Sequence, residues 1–200
     1  MVRLTVLTSK NVKIPKELVY ERIKGKPVYY KDYEKVLKGE KSLEEVVGSS
    51  DLQSWIIMSI IEFLLINLDK TKYKILSNEL GFKAKDKSVY GLDIGIFERE
   101  KIKELKGKYI ETHPEVVIEV DIKADLKGFE DNTDYIYQKI NGLLSSGIGK
   151  VIWIFTKSKK VWIATKDKKW EISGWNEDIE ILDNVNINIE KLLKEEKIKF

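Results

Sequence analysis

The residues best suited to chemistry stand in one strand-like segment, "HPEVVIEVDIKAD", residues 113–125. Glu119, Asp121 and Lys123 follow its β-branched run at every second position. Because side chains alternate across a strand, these three charges would share one face. A half-solvated strand with a charged outer face is one explanation. The other is a site that holds a hard cation such as Mg²⁺, which binds carboxylate oxygens.

A further carboxylate interrupts the apolar segment "VYGLDIGIF", residues 89–97. Asp93 lies between Gly91 and Gly95 on its own face. A buried carboxylate is costly without a metal or a cation beside it, and small neighbours leave space for a ligand. An Asp at a strand end that accepts bonds from backbone N–H groups is the alternative. On adjacent strands, Asp93 and Glu119 would form a pocket suited to Mg²⁺.

Two lysines are candidates to complete this chemistry. Lys123 lies four residues after Glu119, about 13 Å along an extended strand. Lys139 lies at the edge of the apolar stripe of a predicted helix, so its long stem can carry the ammonium to the carboxylates. A lysine whose stem covers the core while its head reaches water is the alternative for Lys139. We favour Lys139, and Asp121 would then bind a second metal or pair with Lys123.

A predicted helix over residues 50–66 precedes these segments. Ser50 and Gln53 stand in a capping-box arrangement, and apolar residues recur on a helical period behind them. Because Ile57, Ile61 and Leu65 widen the apolar face, we expect this helix to be covered on more than one side. It is shorter than the roughly 20 apolar residues that a bilayer requires, so we expect no membrane span.

The segments that carry the candidate residues predict a β-α-β unit. It comprises a strand over 114–122, a helix from about 134 to 146 with Thr133 as N-cap and Gly147 as stop, and a buried strand over 151–155. Such a unit requires a parallel pair with a right-handed crossover, and the Asp93 strand can pair beside it in the antiparallel sense. The sequence therefore predicts an α/β fold: a mixed sheet with helices on both faces.

Composition limits the class of protein. The chain has 200 residues, 36 basic against 33 acidic, and a net charge of +3. This length favours a single domain over residues 1–200, and the charge is too small to indicate a nucleic-acid binder by itself. The absence of cysteine excludes disulfides and thiolate metal sites. No signal-peptide pattern surrounds "LTVLT" near the N-terminus, so we expect a cytoplasmic protein.

The order of a strand Asp, a strand Glu and a helix Lys resembles the PD-(D/E)XK nuclease superfamily. Within it, the chain is similar to the Uma two-like restriction endonucleases, the domain of unknown function family 820 (DUF820). The similarity covers about residues 19–165. Its Y-E-x-x-x-G motif corresponds to Tyr20, Glu21 and Gly25, and its P-D-h-h-h motif corresponds to Leu92, Asp93, Ile94 and Gly95. Its P-D-L-V-V-E-V motif corresponds to residues 114–120. Its K-x-x-x-Y-x-x-x-G-V motif corresponds to Lys139, Leu143, Gly147 and Ile148.

This resemblance implies a restriction-endonuclease-like fold and hydrolysis of phosphodiester bonds in DNA with Mg²⁺ or Mn²⁺. It implies that Asp93, Glu119 and the carbonyl of Val120 hold the metal. Lys139 or Lys123 would orient the nucleophile or neutralise the charge that develops on the phosphate. By analogy, an enzyme that cuts both strands of a DNA duplex would act as a homodimer.

The sequence departs from the family pattern at the lysine of the E-x-K motif, where Asp121 stands. The Uma two-like group itself often lacks this lysine and uses the helix lysine instead, so the resemblance favours Lys139. Glu21 could supply a further carboxylate. Leu92 and Leu143, which replace a Pro and a Tyr of the family, are read as structural changes.

A non-catalytic module on the same fold is the alternative function. It would hold nucleic acid or a protein partner through basic residues near the C-terminus, although a lysine-rich hairpin is often only a solvated face. Convergence of Asp93, Glu119 and a lysine nitrogen in one pocket would favour the nuclease. The basic residues are Lys157, Lys159, Lys160, Lys166, Lys168 and Lys169.

Overall fold

An eight-stranded mixed sheet organises the chain in the computed structural model, which describes residues 14–195. The strands of this sheet and of a smaller second sheet, within the described residues, are β1 (Val19–Ile23), β2 (Lys26–Tyr29), β3 (Tyr73–Lys83), β4 (Val89–Glu98), β5 (Val116–Val120), β6 (Lys150–Phe155), β7 (Lys160–Thr165), β8 (Glu171–Gly174), β9 (Ile179–Leu182) and β10 (Val185–Ile187). The helices are α1 (Tyr33–Leu37), α2 (Glu44–Val47), α3 (Asp51–Asn67), α4 (Asn132–Ser145) and α5 (Ile189–Glu195).

The strand order of the large sheet is β2-β1-β4-β5-β6-β7-β8, and β3 pairs with β4 outside this path. β5 and β6 are parallel, whereas β4 pairs with β5 in the antiparallel sense. The chain between β5 and β6 contains α4, which completes the predicted β-α-β unit. β9 and β10 form a separate two-stranded sheet.

Helices cover both faces of the sheet because its central strands are apolar on both sides. Residues of α3 and α5 pack with Ile118 and Val120 in one core. Residues of α4 pack with Val117 and Val151 in the other. The predicted mixed α/β sheet with helices on both faces is confirmed, whereas the single domain over residues 1–200 stays a prediction.

Helix α3 begins as predicted, but its outer face does not follow the prediction. Ser50 is the N-cap, and its Oγ accepts a hydrogen bond of 3.1 Å from the Gln53 backbone N–H. The expectation that α3 is covered on more than one side is wrong within residues 14–195, since Trp55, Met58 and Ile66 are exposed. The reason is that the sheet and α5 cover only part of its circumference: Ile57 and Ile61 are partly buried against the core, whereas Leu65 is exposed. In the same range, no helix is both long and apolar enough to cross a bilayer.

The N-cap of α4 is Asp131 and not Thr133, which lies inside the helix. The Asp131 carboxylate accepts a hydrogen bond of 2.8 Å from the Asp134 N–H, and so satisfies one of the free backbone donors of the first turn. Gly147 follows the helix with a φ of +103°, as expected for a stop.

Strand β5 ends earlier than predicted. Asp121 has a φ of +58°, so the extended conformation ends at Val120. The prediction that Glu119, Asp121 and Lys123 share one strand face is therefore wrong for the last two residues. The physical reason is that a left-handed residue turns the chain, and Asp adopts this conformation more readily than most side chains.

Strand β3 was not predicted from the sequence. It is 11 residues long and pairs with β4, but the register shifts between Ser77 and Leu80. Asn78 and Glu79, which lie between them, both have positive φ. This bulge interrupts the alternation by which strands are recognised in sequences. The segment around "LTVLT" near the N-terminus, used to predict the location of the protein, lies outside the described residues.

Close packing of α4 on β4 leads to the first prediction. A Cβ on Gly142 would lie 2.0 Å from the Tyr90 hydroxyl oxygen. Gly142→Ala should therefore destabilise the protein by about 1–3 kcal/mol, although Ala is the better helix former. Chemical denaturation measures the effect. Adding Tyr90→Phe, which removes that oxygen, should restore part of the loss, and an equally stable Gly142→Ala protein would contradict the observed packing.

Candidate active site

The candidate site lies where β5 and β1 diverge along one edge of β4. β3 pairs with the other edge of β4 over nearly its full length. On the site edge, β5 pairs with residues 94–96 of β4, and β1 pairs only at Val89. Between these points the Asp93 carboxylate accepts a hydrogen bond of 2.8 Å from the Val120 N–H. The Asp93 carboxylate thus accepts the hydrogen bond that a backbone carbonyl would accept in a regular sheet.

Strand β4 changes the direction of its side chains at Asp93. Leu92 packs in the core below α4, and Ile94 packs in the core below α3. Regular alternation would place these two residues on one side. The bulge of Asn78 and Glu79 stands opposite this point, because Ser77 pairs with Ile94 and Leu80 pairs with Leu92. This irregularity helps to turn the Asp93 carboxylate toward β5.

Lys139 brings the elements of the site together. Its Nζ lies 3.0 Å from Glu119 Oε2, 3.2 Å from Glu21 Oε2 and 3.1 Å from the Gly91 carbonyl oxygen. Its side chain is 0% exposed, so the alternative of a lysine whose head reaches water is excluded. The predicted approach of Lys139 to Glu119 is confirmed, and the approach of Glu21 answers a question that the sequence left open.

Aromatic side chains close the buried side of this cluster. The rings of Tyr20 and Trp153 each have their centroid 5.4 Å from Lys139 Nζ. Tyr135 donates a hydrogen bond of 2.7 Å from its hydroxyl to Glu21 Oε1. Rings around an ammonium attract its charge and exclude water, which strengthens the electrostatic interactions inside.

The site contains more negative than positive charge. Glu21, Asp93 and Glu119 are all buried, and Lys139 is the buried cation among them. Burial raises the pKa of Asp93 and raises the pKa of Glu119 to about 8. Burial alone would lower the Lys139 pKa, but the charges of Glu119 and Glu21 outweigh it and hold this pKa well above its ordinary value. The ammonium of Lys139 therefore stays protonated, and burial favours the protonated form of Glu119.

The carbonyl of Val120 is held by a residue that the sequence did not single out for this purpose. Gln53 on α3 donates a hydrogen bond of 2.7 Å from Nε2 to this oxygen. The side chain of Gln53 was expected to cap its own helix, and that expectation is wrong because it crosses to β5. A Gln in a capping-box position gives no sequence signal of such a contact.

Lys123 is bound by residues outside the Lys139 cluster. It forms an ion pair with Glu79 and a hydrogen bond of 2.7 Å with Ser49 Oγ. Its side chain is 11% exposed, against 34% for Glu79. The two candidate lysines thus occupy different parts of the site, Lys139 in its interior and Lys123 near solvent.

Asp121 is directed away from the cluster. Its Oδ1 and Oδ2 accept hydrogen bonds of 2.9 and 2.6 Å from the backbone N–H and the hydroxyl of Thr156. The structure therefore pairs Asp121 with Thr156 and not with Lys123. The argument that Gly95 leaves space for a ligand is also wrong, because a Cβ there would lie 2.7 Å from the ring of Phe97, which fills that space.

The donor set suits a hard divalent cation. Asp93, Glu119 and the Val120 carbonyl offer oxygen ligands, and Glu119 Oε1 is buried without a hydrogen-bond partner among residues 14–195. In the same part of the chain, no group of three or more His, Asp or Glu side chains is arranged as a metal site. A cation here would rest on two carboxylates and a carbonyl, with water as further ligands.

Comparison with known proteins shows a similarity of fold. No family model matches the sequence, and no curated protein matches it. The fold is similar to the crystal structure of "a putative nuclease belonging to DUF820" from Anabaena variabilis ATCC 29413. The TM-score is 0.64 with 15% identity, over 90% of this chain and 92% of that chain. The two proteins share a fold.

The raised pKa of Glu119 leads to a prediction for stability. Between its ordinary pKa of 4.5 and about 8, the folded protein holds a proton that the unfolded chain has lost. Stability from this group is therefore complete below pH 4.5 and is lost as the pH rises through about 8.

Glu119→Gln cannot ionise, so it should gain stability relative to the parent as the pH rises across this window. Urea unfolding in EDTA at several pH values measures the difference. Parallel curves for the two proteins would show that Glu119 carries no such shift.

Proposed function

We propose that this chain is a metal-dependent endonuclease that hydrolyses phosphodiester bonds in DNA. We further propose that it belongs to the Uma two-like (DUF820) group of the PD-(D/E)XK nucleases. The observation that carries the proposal is the buried ammonium of Lys139, which contacts Glu119 and Glu21, together with the buried carboxylate of Asp93, which is bonded to the N–H of Val120 beside Glu119. The fold shared with the Anabaena protein and the order of the motifs along the chain support the same assignment.

The residues that would hold the metal are Asp93, Glu119 and the carbonyl of Val120. Bound Mg²⁺ or Mn²⁺ would supply an activated water and neutralise charge on the scissile phosphate. The Val120 N–H fixes one oxygen of Asp93, and Gln53 fixes the Val120 carbonyl. Preorganisation of this kind lowers the cost of binding, because the ligands need not be reoriented.

Lys139 acts on this arrangement from the interior. It donates hydrogen bonds to the Gly91 carbonyl on β4 and to Glu119 on β5, and it forms an ion pair with Glu21 on β1. Its charge lowers the Glu119 pKa against the effect of burial, so that the carboxylate is more readily ionised. We propose that Lys139 holds Glu119 in the geometry for the metal and offsets charge at the reacting phosphate.

The proposal also covers the DNA substrate and the oligomeric state. The six lysines on and between β6 and β8, named above as the basic residues, are exposed and can contact the DNA backbone. A non-catalytic module could use them in the same way, but the converged carboxylates and lysine favour the nuclease. A homodimer would cut both strands of a duplex.

Plasmid cleavage tests the proposal directly. The parent should relax supercoiled plasmid when Mg²⁺ or Mn²⁺ is titrated, and Glu119→Gln should lose about a hundredfold or more of that rate, because one metal ligand is removed. Glu115→Gln is the matched control, since Glu115 precedes the same strand and pairs with Lys101 at 2.5 Å. It should cleave like the parent. A parent that is inactive with both metals, or an unimpaired Glu119→Gln, would contradict the proposal.

The same assay separates the two lysines. Lys139→Ala should lose about a hundredfold or more in rate, because it removes one preorganised charge beside Glu119. Lys123→Ala should lose much less, since Lys123 does not contact Glu119. Thermal melts of both variants show which remain folded at the assay temperature. The reverse order of the two losses would assign the main role to Lys123.

A further inference from the structure

The bulge in β3 is the least regular part of the backbone near the site. Asn78 and Glu79 are consecutive residues with φ of +74° and +49°, and neither is glycine. Such residues cost backbone energy and persist where the surrounding structure holds them. The bulge lies opposite Asp93, whose carbonyl oxygen accepts a hydrogen bond of 2.7 Å from Ser77 Oγ. Bulges beside functional sites often redirect one side chain.

Here the redirected side chain is that of Glu79, which holds Lys123. One oxygen of Glu79 binds the Lys123 ammonium, and the other accepts a hydrogen bond of 3.2 Å from the Tyr30 hydroxyl. Ser49 Oγ lies 2.7 Å from the same ammonium. The backbone of Lys123 is also fixed, because its carbonyl accepts a bond of 2.7 Å from the Lys31 N–H. Glu79 is therefore the carboxylate that holds the Lys123 ammonium, together with the Ser49 hydroxyl.

Asp93, which lies opposite the bulge, is a second carboxylate on which the charge of Lys123 acts. After burial and the Val120 N–H, the charge of Lys123 has the largest effect on the Asp93 pKa, ahead of Lys139, and it lowers that pKa. Glu79 acts on the same pKa in the opposite direction. An ammonium bound at Asp93 would oppose a cation there.

We propose that Glu79 is a positioning residue, which holds Lys123 at the solvent side of the site and keeps its ammonium off Asp93. Asp93 then stays free to bind a divalent cation, and Lys123 stays available to a phosphate that enters from solvent. The part that concerns the cation rests on the proposed function. The carboxylate of Glu79 would therefore determine cation affinity through Lys123 without contacting the cation.

Cation binding without DNA tests the role of Glu79. The Mg²⁺ concentration that gives half of the maximal thermal shift should rise about tenfold or more in Glu79→Gln, since a cation bound at Asp93 opposes Mg²⁺. Adding Lys123→Met should return it to near the parental value. Glu111→Gln is the control, because it removes a carboxylate that pairs at 2.8 Å with Lys83 on the same strand. It should leave the Mg²⁺ response unchanged.

Two results would overturn the inference. An unchanged Mg²⁺ response in Glu79→Gln would show that Glu79 does not control Asp93. A weaker response that Lys123→Met fails to restore would show that Glu79 acts as a ligand or only supports the bulge. A purely structural role predicts no rescue, so the double variant separates the two explanations.

A metal-free measurement separates this inference from the proposed function. Unfolding in EDTA measures the free energy of unfolding of Asp93→Asn, Lys123→Met and the double variant, and so gives the coupling free energy between these two residues. The cycle is measured once in the parent and once in the Glu79→Gln background. The coupling free energy between Asp93 and Lys123 should be small in the parent. It should become clearly stabilising in the Glu79→Gln background. If the parent shows no Mg²⁺ response, the proposed metal site fails, and this cycle still decides the role of Glu79. An identical coupling in both backgrounds would overturn it.

Discussion

The contacts of the Lys139 ammonium determine how the centre of this protein is arranged. The ammonium is removed from water, and its partners come from three strands: it forms ion pairs with Glu21 on β1 and Glu119 on β5 and a hydrogen bond with the Gly91 carbonyl on β4. A buried charge is tolerated only when it is paired and hydrogen-bonded, so the three strands must meet around it. β1 and β5 are not sheet neighbours, and the lysine bridges the space between them. Removing Lys139 would leave two carboxylates buried without their cation, which is usually more costly than losing an exposed ion pair.

The same contacts leave the site electrostatically incomplete. One ammonium stands among three buried carboxyl groups, and burial raises the pKa of both Asp93 and Glu119. Like charges in a medium of low polarity repel, so the arrangement favours either a proton or a metal ion. Perturbed carboxyl groups that converge in this way are typical of functional sites. The chain thus carries an electrostatic cost that a divalent cation would relieve.

Much of this arrangement could be predicted from the sequence. The alternation around Asp93 and Glu119 predicted two neighbouring strands, and the position of Lys139 on its helix predicted its approach to them. The sequence could not show where β5 ends, because that depends on Asp121, whose carboxylate binds Thr156 on the chain after β6. Local patterns carry no information on such a tertiary contact.

Gln53 and Glu79 were missed for the same reason, because tertiary contacts place them. Gln53 is placed by the packing of α3 on β5, and Glu79 by a bulge that interrupts the alternation of β3. Glu21 could be named from the family motif, but its distance from Lys139 depends on how β1 lies against β4. A strand whose polar residues interrupt the pattern is hard to recognise, and the charged residue responsible for the interruption is then missed as well.

We propose that Asp93 and Glu119 together bind one divalent cation beside an intact Lys139 cluster. Anomalous diffraction from a crystal soaked in Mn²⁺ tests it most directly. We expect a single strong peak at coordination distance, about 2.1 Å, from oxygens of Asp93, Glu119 and the Val120 carbonyl. Lys139 should remain in contact with Glu21. A crystal with full access to Mn²⁺ that shows no peak there, or a peak bound to other residues alone, would contradict the account.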